Sequence, residues 1–154
     1  ALALASERPA WKVTAVDRVL EAVALAERNR ARLHLKNATV LSSHWFSALA
    51  GQRFNLIISN PPYIASSDPH LAEGDVRFEP ESALVAGVDG LDDLRLIVAQ
   101  APQYLEAGGW LMLEHGYDQA DAVRDLLLTQ AFEEVHSRTD LGGHQRISLG
   151  RLPC

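Results

Sequence analysis

The sequence predicts an α/β fold whose sheet closes with a terminal antiparallel β-hairpin. Two observations carry that reading. Strand-like and helix-like segments alternate along the chain, with no internal repeat, low-complexity tract or linker. The last two strand-like segments, Glu134–Ser137 and Gln145–Leu149, flank the turn signal Gly142-Gly143.

Each element has its own signal. Ala1-Leu2-Ala3-Leu4-Ala5 reads as a helix fragment, because Glu7 and Arg8 follow at once and a signal peptide's basic start is missing. Trp11–Val16 reads as a short strand. Asp17 follows, then a helix to about Leu33 with Val19, Ala22, Val23 and Ala26 on its inner face. Ala38–Leu41 is a second short strand. Phe54–Ser59 is strongly apolar, as expected of a strand buried on both faces. A long polar loop runs from about Asn60 to Gly90, and loops of that length inside a domain are more often functional than idle. Leu91, Leu94, Val98, Ala101 and Leu105 mark a helix that Pro102 kinks or ends, and Gly108-Gly109 is expected to stop it. Trp110–Glu114 is an apolar strand, and Tyr117–Ala131 a helix with Ala120, Val123 and Leu127 inward.

Composition narrows the class. At 154 residues, with 47% hydrophobic and 22% charged side chains, the chain fits one soluble domain with a single core. No apolar run reaches the roughly 18 residues of a membrane span. Cys154 is the single cysteine, so no internal disulfide forms, and the protein reads as cytoplasmic. A net charge of −6 makes a phosphate backbone an unfavoured partner, and the Arg28/Arg30/Arg32 cluster reads as a solvated helix face. The histidines His34, His44, His70, His115, His136 and His144 show no metal-ligand spacing, and no metal site is expected. No Gly-x-Gly-x-x-Gly loop is present to cradle a phosphate.

The chemistry concentrates in Asn60-Pro61-Pro62-Tyr63, directly after the apolar strand. In open α/β sheets ligands bind beyond the carboxyl ends of the strands. A planar amide or amine nitrogen is a poor nucleophile, since its lone pair is delocalised. Methyl transfer to it needs the nitrogen held in line with a sulfonium methyl and its protons drawn to acceptors. Asn60 offers a side-chain carbonyl oxygen, and Pro61 a main-chain carbonyl without a competing N–H. Two prolines stiffen the backbone and so preorganise these acceptors. Tyr63 can stack on the planar target. A bare Pro-Pro pair would read as a turn, but the order of four residues after Leu-Ile-Ile-Ser points to a site. Asp17 ends the first strand, where a carboxylate can accept both hydroxyls of a ribose, though Asp before a helix often serves only as a cap. Trp45 follows the second strand and can lie against an adenine face.

Asn-Pro-Pro-Tyr-Ile at 60–64, Val-Arg-Phe-Glu-Pro at 76–80, Leu-Glu-His-Gly at 113–116 and Gln-Arg-Ile-Ser-Leu-Gly-Arg at 145–151 resemble the bacterial peptide chain release factor N5-glutamine methyltransferases. The resemblance follows these motifs in order over nearly the whole chain. It implies a Rossmann-like sheet of the class I SAM-dependent methyltransferase type, with S-adenosyl-L-methionine as cofactor. It also implies methyl transfer to the side-chain amide of the glutamine in the Gly-Gly-Gln motif of release factors. By that resemblance Asp17 binds the ribose and Trp45 borders the adenine. Asn60 touches both cofactor and target amide, and Pro61, Pro62 and Tyr63 complete the glutamine pocket. Arg77, Phe78 and Glu79 lie in a loop resembling the family's cover over the site. His44 stands where similar enzymes commonly carry Asp.

Three other readings compete. A sister enzyme that methylates a ribosomal protein's glutamine shares Asn-Pro-Pro-Tyr, but Leu113–Gly116 and Arg146–Arg151 favour the release-factor type. An adenine-N6 nucleic-acid methyltransferase would flip its base into the same tetrapeptide, and generally needs extra surface to grip a duplex. A non-catalytic remnant is the third. Ala1–Pro9 resembles the helix that follows the family's glycine-rich SAM loop, so that loop, the first strand and an N-terminal helical domain are expected to be absent from this stretch. The first strand is central in the family's sheet, and its loss leaves two exposed edges. The expected outcome is weak or no SAM binding by the isolated 154-residue chain. Titration calorimetry checks this, and micromolar binding would overturn it.

Overall fold

The computed structural model describes residues 1–72, 80 and 83–154. The chain divides into two compact units, residues 1–52 and 53–154.

In the first unit, helix α1 (Leu2–Glu7) leads into strand β1 (Val13–Asp17), helix α2 (Leu20–Arg32) and strand β2 (Ala38–Ser42). β1 and β2 pair in parallel, with Val13 opposite Ala38 and Asp17 opposite Ser42. Asn37 locks the entry to this pair. Its side-chain amide donates towards the carbonyls of Ala5, Arg8 and Trp11, at 2.9, 3.3 and 3.1 Å. Those carbonyls lie at or just past the end of α1, where backbone acceptors lack helical partners. α2 packs on β1 and β2. Ala22, Val23 and Ala26 are half-buried as the periodicity expects, but Val19 is 45% exposed. It sits before the first helical turn, and its N–H is held by Asp17 instead of its side chain being held by the core.

The second unit holds β3 (Phe54–Ser59), α3 (Asp92–Gln100), a 3-10 turn (Ala101–Gln103), β4 (Leu105–Glu114), α4 (Ala120–Thr129), β5 (Glu133–Thr139) and β6 (Gln145–Arg151). Its sheet has the order β3-β4-β6-β5. β3 and β4 are parallel, and β6 is antiparallel to both β4 and β5. The hairpin therefore inserts its last strand between β4 and β5, the mixed sheet with an antiparallel end that the sequence predicted. Asp140 shapes the turn by accepting from the N–H groups of Gly142 and His144, at 2.8 and 3.0 Å.

The core of this unit is built from α3, α4 and the sheet. Leu94, Ile97 and Val98 of α3, Leu111 and Leu113 of β4, and Val123 and Leu127 of α4 are at most 1% exposed. Pro102 falls in the 3-10 turn that ends α3, as its missing N–H and fixed ring require.

Two expectations need correction. Gly108-Gly109 does not stop a helix. It lies inside β4, where the strand leaves β3 after Leu105 and rejoins it at Trp110, opposite Leu56. Gly108 has φ +74°, a left-handed conformation, and donates its N–H to Leu152 O at 3.0 Å. β3 is not buried on both faces. Among the described residues it has one strand neighbour, its side chains are half-buried or exposed, and Ile58 is 53% exposed.

Leu111 pairs between Ile57 and Gly150 at the centre of this sheet and is fully buried. Leu111→Ala removes core volume that neighbouring strands cannot collapse to fill, and should cost about 2–5 kcal/mol. Urea unfolding measures it, with the midpoint shifted and the slope retained.

Candidate functional site

The parallel register sets Ser59 opposite Leu113, so the two strands end together. Asn60 leaves β3 beside the Glu114 end of β4. Asn60 is exposed, and its side-chain amide has no hydrogen-bond partner among the described residues. Pro61 is buried, while Pro62, Tyr63 and Ile64 are half-buried. The loop is therefore anchored by its apolar members and presents its amide outward. Tyr63 directs its hydroxyl at Glu114 Oε1, 3.4 Å away. Ile64 docks on the far limb of the long loop, donating to Leu84 O at 2.9 Å and accepting from Ala86 N at 3.0 Å.

The Tyr63 carbonyl is held from the other side. Gln119 Nε2 donates to it at 3.0 Å and approaches the carbonyls of Asp89 and Gly90 at 3.3 and 3.4 Å. Gly90 has φ +73°, and a Cβ placed there would stand 2.3 Å from Tyr63 O, so only glycine allows this approach. Asp89 caps the neighbouring turn through the Leu91 N–H at 3.1 Å. Its hydrogen bonds from Arg95 hold its carboxyl down to about 2.

Behind Glu114 lies a buried polar chain. His115 is fully buried, with Nδ1 2.8 Å from Gly116 O and Nε2 2.8 Å from Ser148 Oγ. Ser148 Oγ stands 2.8 Å from Ser137 Oγ, which accepts from Arg124 Nη1 at 2.8 Å. The partners fix the direction of every proton. A carbonyl can only accept, so Nδ1 carries the hydrogen. In the neutral imidazole Nε2 must then accept, so Ser148 donates to it and accepts from Ser137, which accepts in turn from Arg124. The imidazole is neutral. Burial is the largest cause lowering its pKa, reinforced by the charges of Arg146 and Arg124 and opposed by the hydrogen bond to Gly116.

The residues expected at a cofactor fall in the first unit. Asp17 ends β1, exposed, with Oδ1 accepting from Val19 N at 2.8 Å. The capping role and a ribose-binding role are both open to it, since a carboxylate has a second oxygen. Trp45 follows β2 in a tight knot, in which Ser43 Oγ donates to Trp45 O at 2.8 Å and accepts from Ala48 N at 3.0 Å. Trp45 has φ +50°, and its buried indole N–H has no hydrogen-bond partner. His44 is exposed, its ring 6.1 Å from that of Trp45. Arg77, Phe78 and Glu79 lie outside the described residues. No group of three or more His, Cys, Asp or Glu among the described residues could hold a metal, and no helix of the described chain is long and apolar enough to cross a membrane.

Sequence reasoning named Glu114 and His115 within the motif at 113–116 but gave them no role, read Gly90 only as a turn, and missed Gln119. One signal was available. Gly116 and Gln119 stand three apart before a helix, and the structure shows them bonded reciprocally, at 2.8 Å to Oε1 and 3.0 Å between backbones.

Residues 1–75 match the family model described as Methyltransferase small domain, a span that includes Asn60-Pro61-Pro62-Tyr63. The chain is 70% identical over 151 residues to the release factor glutamine methyltransferase of Pseudomonas aeruginosa, covering 98% of this chain and 55% of that one. It is 52% identical to that of Escherichia coli, covering 98% and 54%. The chain is homologous to the release factor glutamine methyltransferases. It spans about half the length of the curated relatives it matches. Among solved structures, a methyltransferase from Pyrococcus furiosus superposes with a TM-score of 0.71 at 16% identity, covering 93% of this chain and 64% of that one. A release factor-specific protein-(glutamine-N5) methyltransferase from Alicyclobacillus acidocaldarius gives 0.52 at 22%, covering 94% and 81%. These likenesses show the fold, which the chain shares with these methyltransferases.

Within that methyltransferase fold the buried histidine has a measurable signature. Its folded pKa lies below the ordinary 6.5, so the unfolded chain takes up the proton first as pH falls. The stability it contributes is complete above about 6.5 and is lost below it, by at most about 1.4 kcal/mol per pH unit. Unfolding midpoints measured from roughly pH 7 to pH 5 should fall in the parent, and the slope should flatten in His115→Gln. An unchanged slope in the variant would assign the pH dependence elsewhere.

Proposed function

We propose that the chain belongs to an enzyme that transfers a methyl group from S-adenosyl-L-methionine to the side-chain amide nitrogen of the glutamine in the Gly-Gly-Gln motif of peptide chain release factors. The observation that carries the reading is the exposed, unpartnered Asn60 amide on a loop anchored by buried Pro61, at the carboxyl end of β3. The names of the relatives support the substrate.

When bound, the cofactor supplies an electrophilic methyl on a positively charged sulfur. The chain's part is to hold and polarise the nucleophile. Asn60 Oδ1 and the Pro61 carbonyl accept hydrogen bonds from the two amide hydrogens of the target. This fixes the plane of the amide, so that the nitrogen lone pair, perpendicular to that plane, faces the methyl. Bound S-adenosyl-L-methionine would supply the methyl group and leave as the neutral thioether, and the nitrogen, cationic once methylated, would release one of those hydrogens as a proton to solvent water. Acceptors already aimed at the hydrogens stabilise that charge without rearranging. Tyr63, steadied by its hydroxyl at Glu114, stacks on the planar amide.

Residues of the first unit fit a nucleoside cofactor. Asp17 would accept the ribose hydroxyls and Trp45 would border the adenine. The buried indole N–H without a partner is the structural sign that the Trp45 turn is built for more than packing. Release factor is the partner under this reading, and its location in the cytoplasm follows from that partner.

Asn60→Ala removes one of two acceptors while leaving the anchored prolines in place. In the polypeptide that carries this sequence, methyl transfer to release factor should fall roughly 10²–10³-fold in kcat, the range seen when one donor of a preorganised set is lost. The assay is transfer of labelled methyl. Full activity in the variant would sink the mechanism.

A further inference from the structure

The Asn60–Tyr63 loop has few torsions left to set. β3 fixes its start, and Pro61 and Pro62 fix two φ angles. What remains is decided by where the Tyr63 peptide points. Gln119 decides it. Its Oε1 accepts the Gly116 N–H at 2.8 Å, which orients the amide so that both Nε2 hydrogens face the carbonyls of Tyr63, Asp89 and Gly90.

We propose that Gln119 is a positioning residue, one that sets the Asn60–Tyr63 loop in its reactive geometry by clamping the Tyr63 carbonyl. The proposal rests on the reading of that loop as the amide-binding site. Three features support it. The donor is matched to three acceptors and nothing else. Gly90 clears the space in which the amide and the Tyr63 carbonyl meet, since a Cβ there would lie 2.8 Å from Gln119 Nε2 and 2.3 Å from Tyr63 O. The support behind Gln119 is stiff. Gly116 is buried and its carbonyl is held by His115, itself buried and bonded through Ser148 to Ser137. The Asp89 side is held by Arg95, at 3.0 Å, and by the Leu91 N–H. One neutral amide thus joins the turn after β4, the turn before α3 and the loop after β3. A glutamate of the same length could keep the Gly116 bond but would turn an anionic oxygen on three carbonyl oxygens.

The test is Gln119→Glu in the polypeptide that carries this sequence, alone and combined with Asn60→Ala. With release factor as substrate, kcat should fall roughly ten- to hundredfold, as for a reacting group displaced by about an ångström. The KM for SAM should stay within about twofold. In the Asn60→Ala background the same change should add little, because both act on one acceptor set. A kcat equal to the parent's, or losses that multiply in the double variant, would overturn the proposal. Should Gln119→Glu fail to fold, Gln119→Met gives the same comparison without charge. If the parent transfers no methyl to release factor, the substrate reading fails and Gln119 is judged by amide exchange. Exchange of the Ile64 N–H roughly tenfold faster in Gln119→Glu supports the clamp, and an unchanged rate refutes it.

Discussion

The parallel pairing of β3 with β4 is the constraint on which the second unit depends. Parallel strands finish at the same edge of a sheet, and the register that sets Ser59 against Leu113 makes these two finish at the same level. Asn60 and Glu114 are neighbours for that reason, although they are far apart in sequence. A slip of one residue would turn every β4 side chain over, carrying Leu111 and Leu113 out of the core and Trp110 and Met112 in. The core residues therefore hold the register, and the register holds the site. The antiparallel β6 adds to this. Its ladder continues past the end of β4, where His115 N donates to Arg146 O at 3.0 Å, and so fixes the direction in which the chain leaves the strand.

The polar groups below that edge form a chain that begins at a donor, Arg124, and ends at an acceptor, the Gly116 carbonyl, with Ser137, Ser148 and His115 each donating and accepting between them. Buried polar groups are costly when unpaired, and this arrangement leaves no hydrogen unspent. Charging the imidazole would reverse the Ser148 hydroxyl and leave the Ser137 hydroxyl hydrogen without its acceptor. The neutral tautomer is thus part of the packing. It connects α4 and both strands of the hairpin to the turn at Gly116, and that turn meets the Asn60 loop through Gln119.

Much of the fold could be read in the sequence where a single local signal sufficed. Phe54–Ser59 and Ala38–Leu41 announced strands by their apolar runs, and Ala120, Val123 and Leu127 marked the inner face of α4. Gly142-Gly143 announced the hairpin. Gly108-Gly109 was misread because a glycine pair after an apolar helix looks like a stop, while its use as an excursion within β4 depends on Leu152 and Phe54, remote partners that no window contains. The apolar run of β3 tells that the strand prefers cover, and its exposure agrees with the bare edges expected where a central first strand is lacking. Within the site, Asn60-Pro61-Pro62-Tyr63 was legible because its chemistry is local. Gln119 was not, since its function comes from carbonyls at Tyr63, Asp89 and Gly90 that only the folded chain brings together.

In the first unit Trp45 carries two costs at once. Trp45 adopts φ +50°, a conformation that a bulky side chain takes only against about 1–3 kcal/mol. Its buried indole N–H also lacks an acceptor, a penalty of similar size. Packing alone would select against both, because a smaller residue would relieve the backbone and an apolar one would remove the orphan donor. The surroundings instead enforce the conformation. Ser43 Oγ is bonded to Trp45 O and Ala48 N and lies 3.2 Å from Ser47 Oγ, which in turn accepts from His44 N. A turn braced at four points around a strained, unsatisfied tryptophan is a turn shaped to present that ring. Under the proposed function this is the residue that would border the adenine.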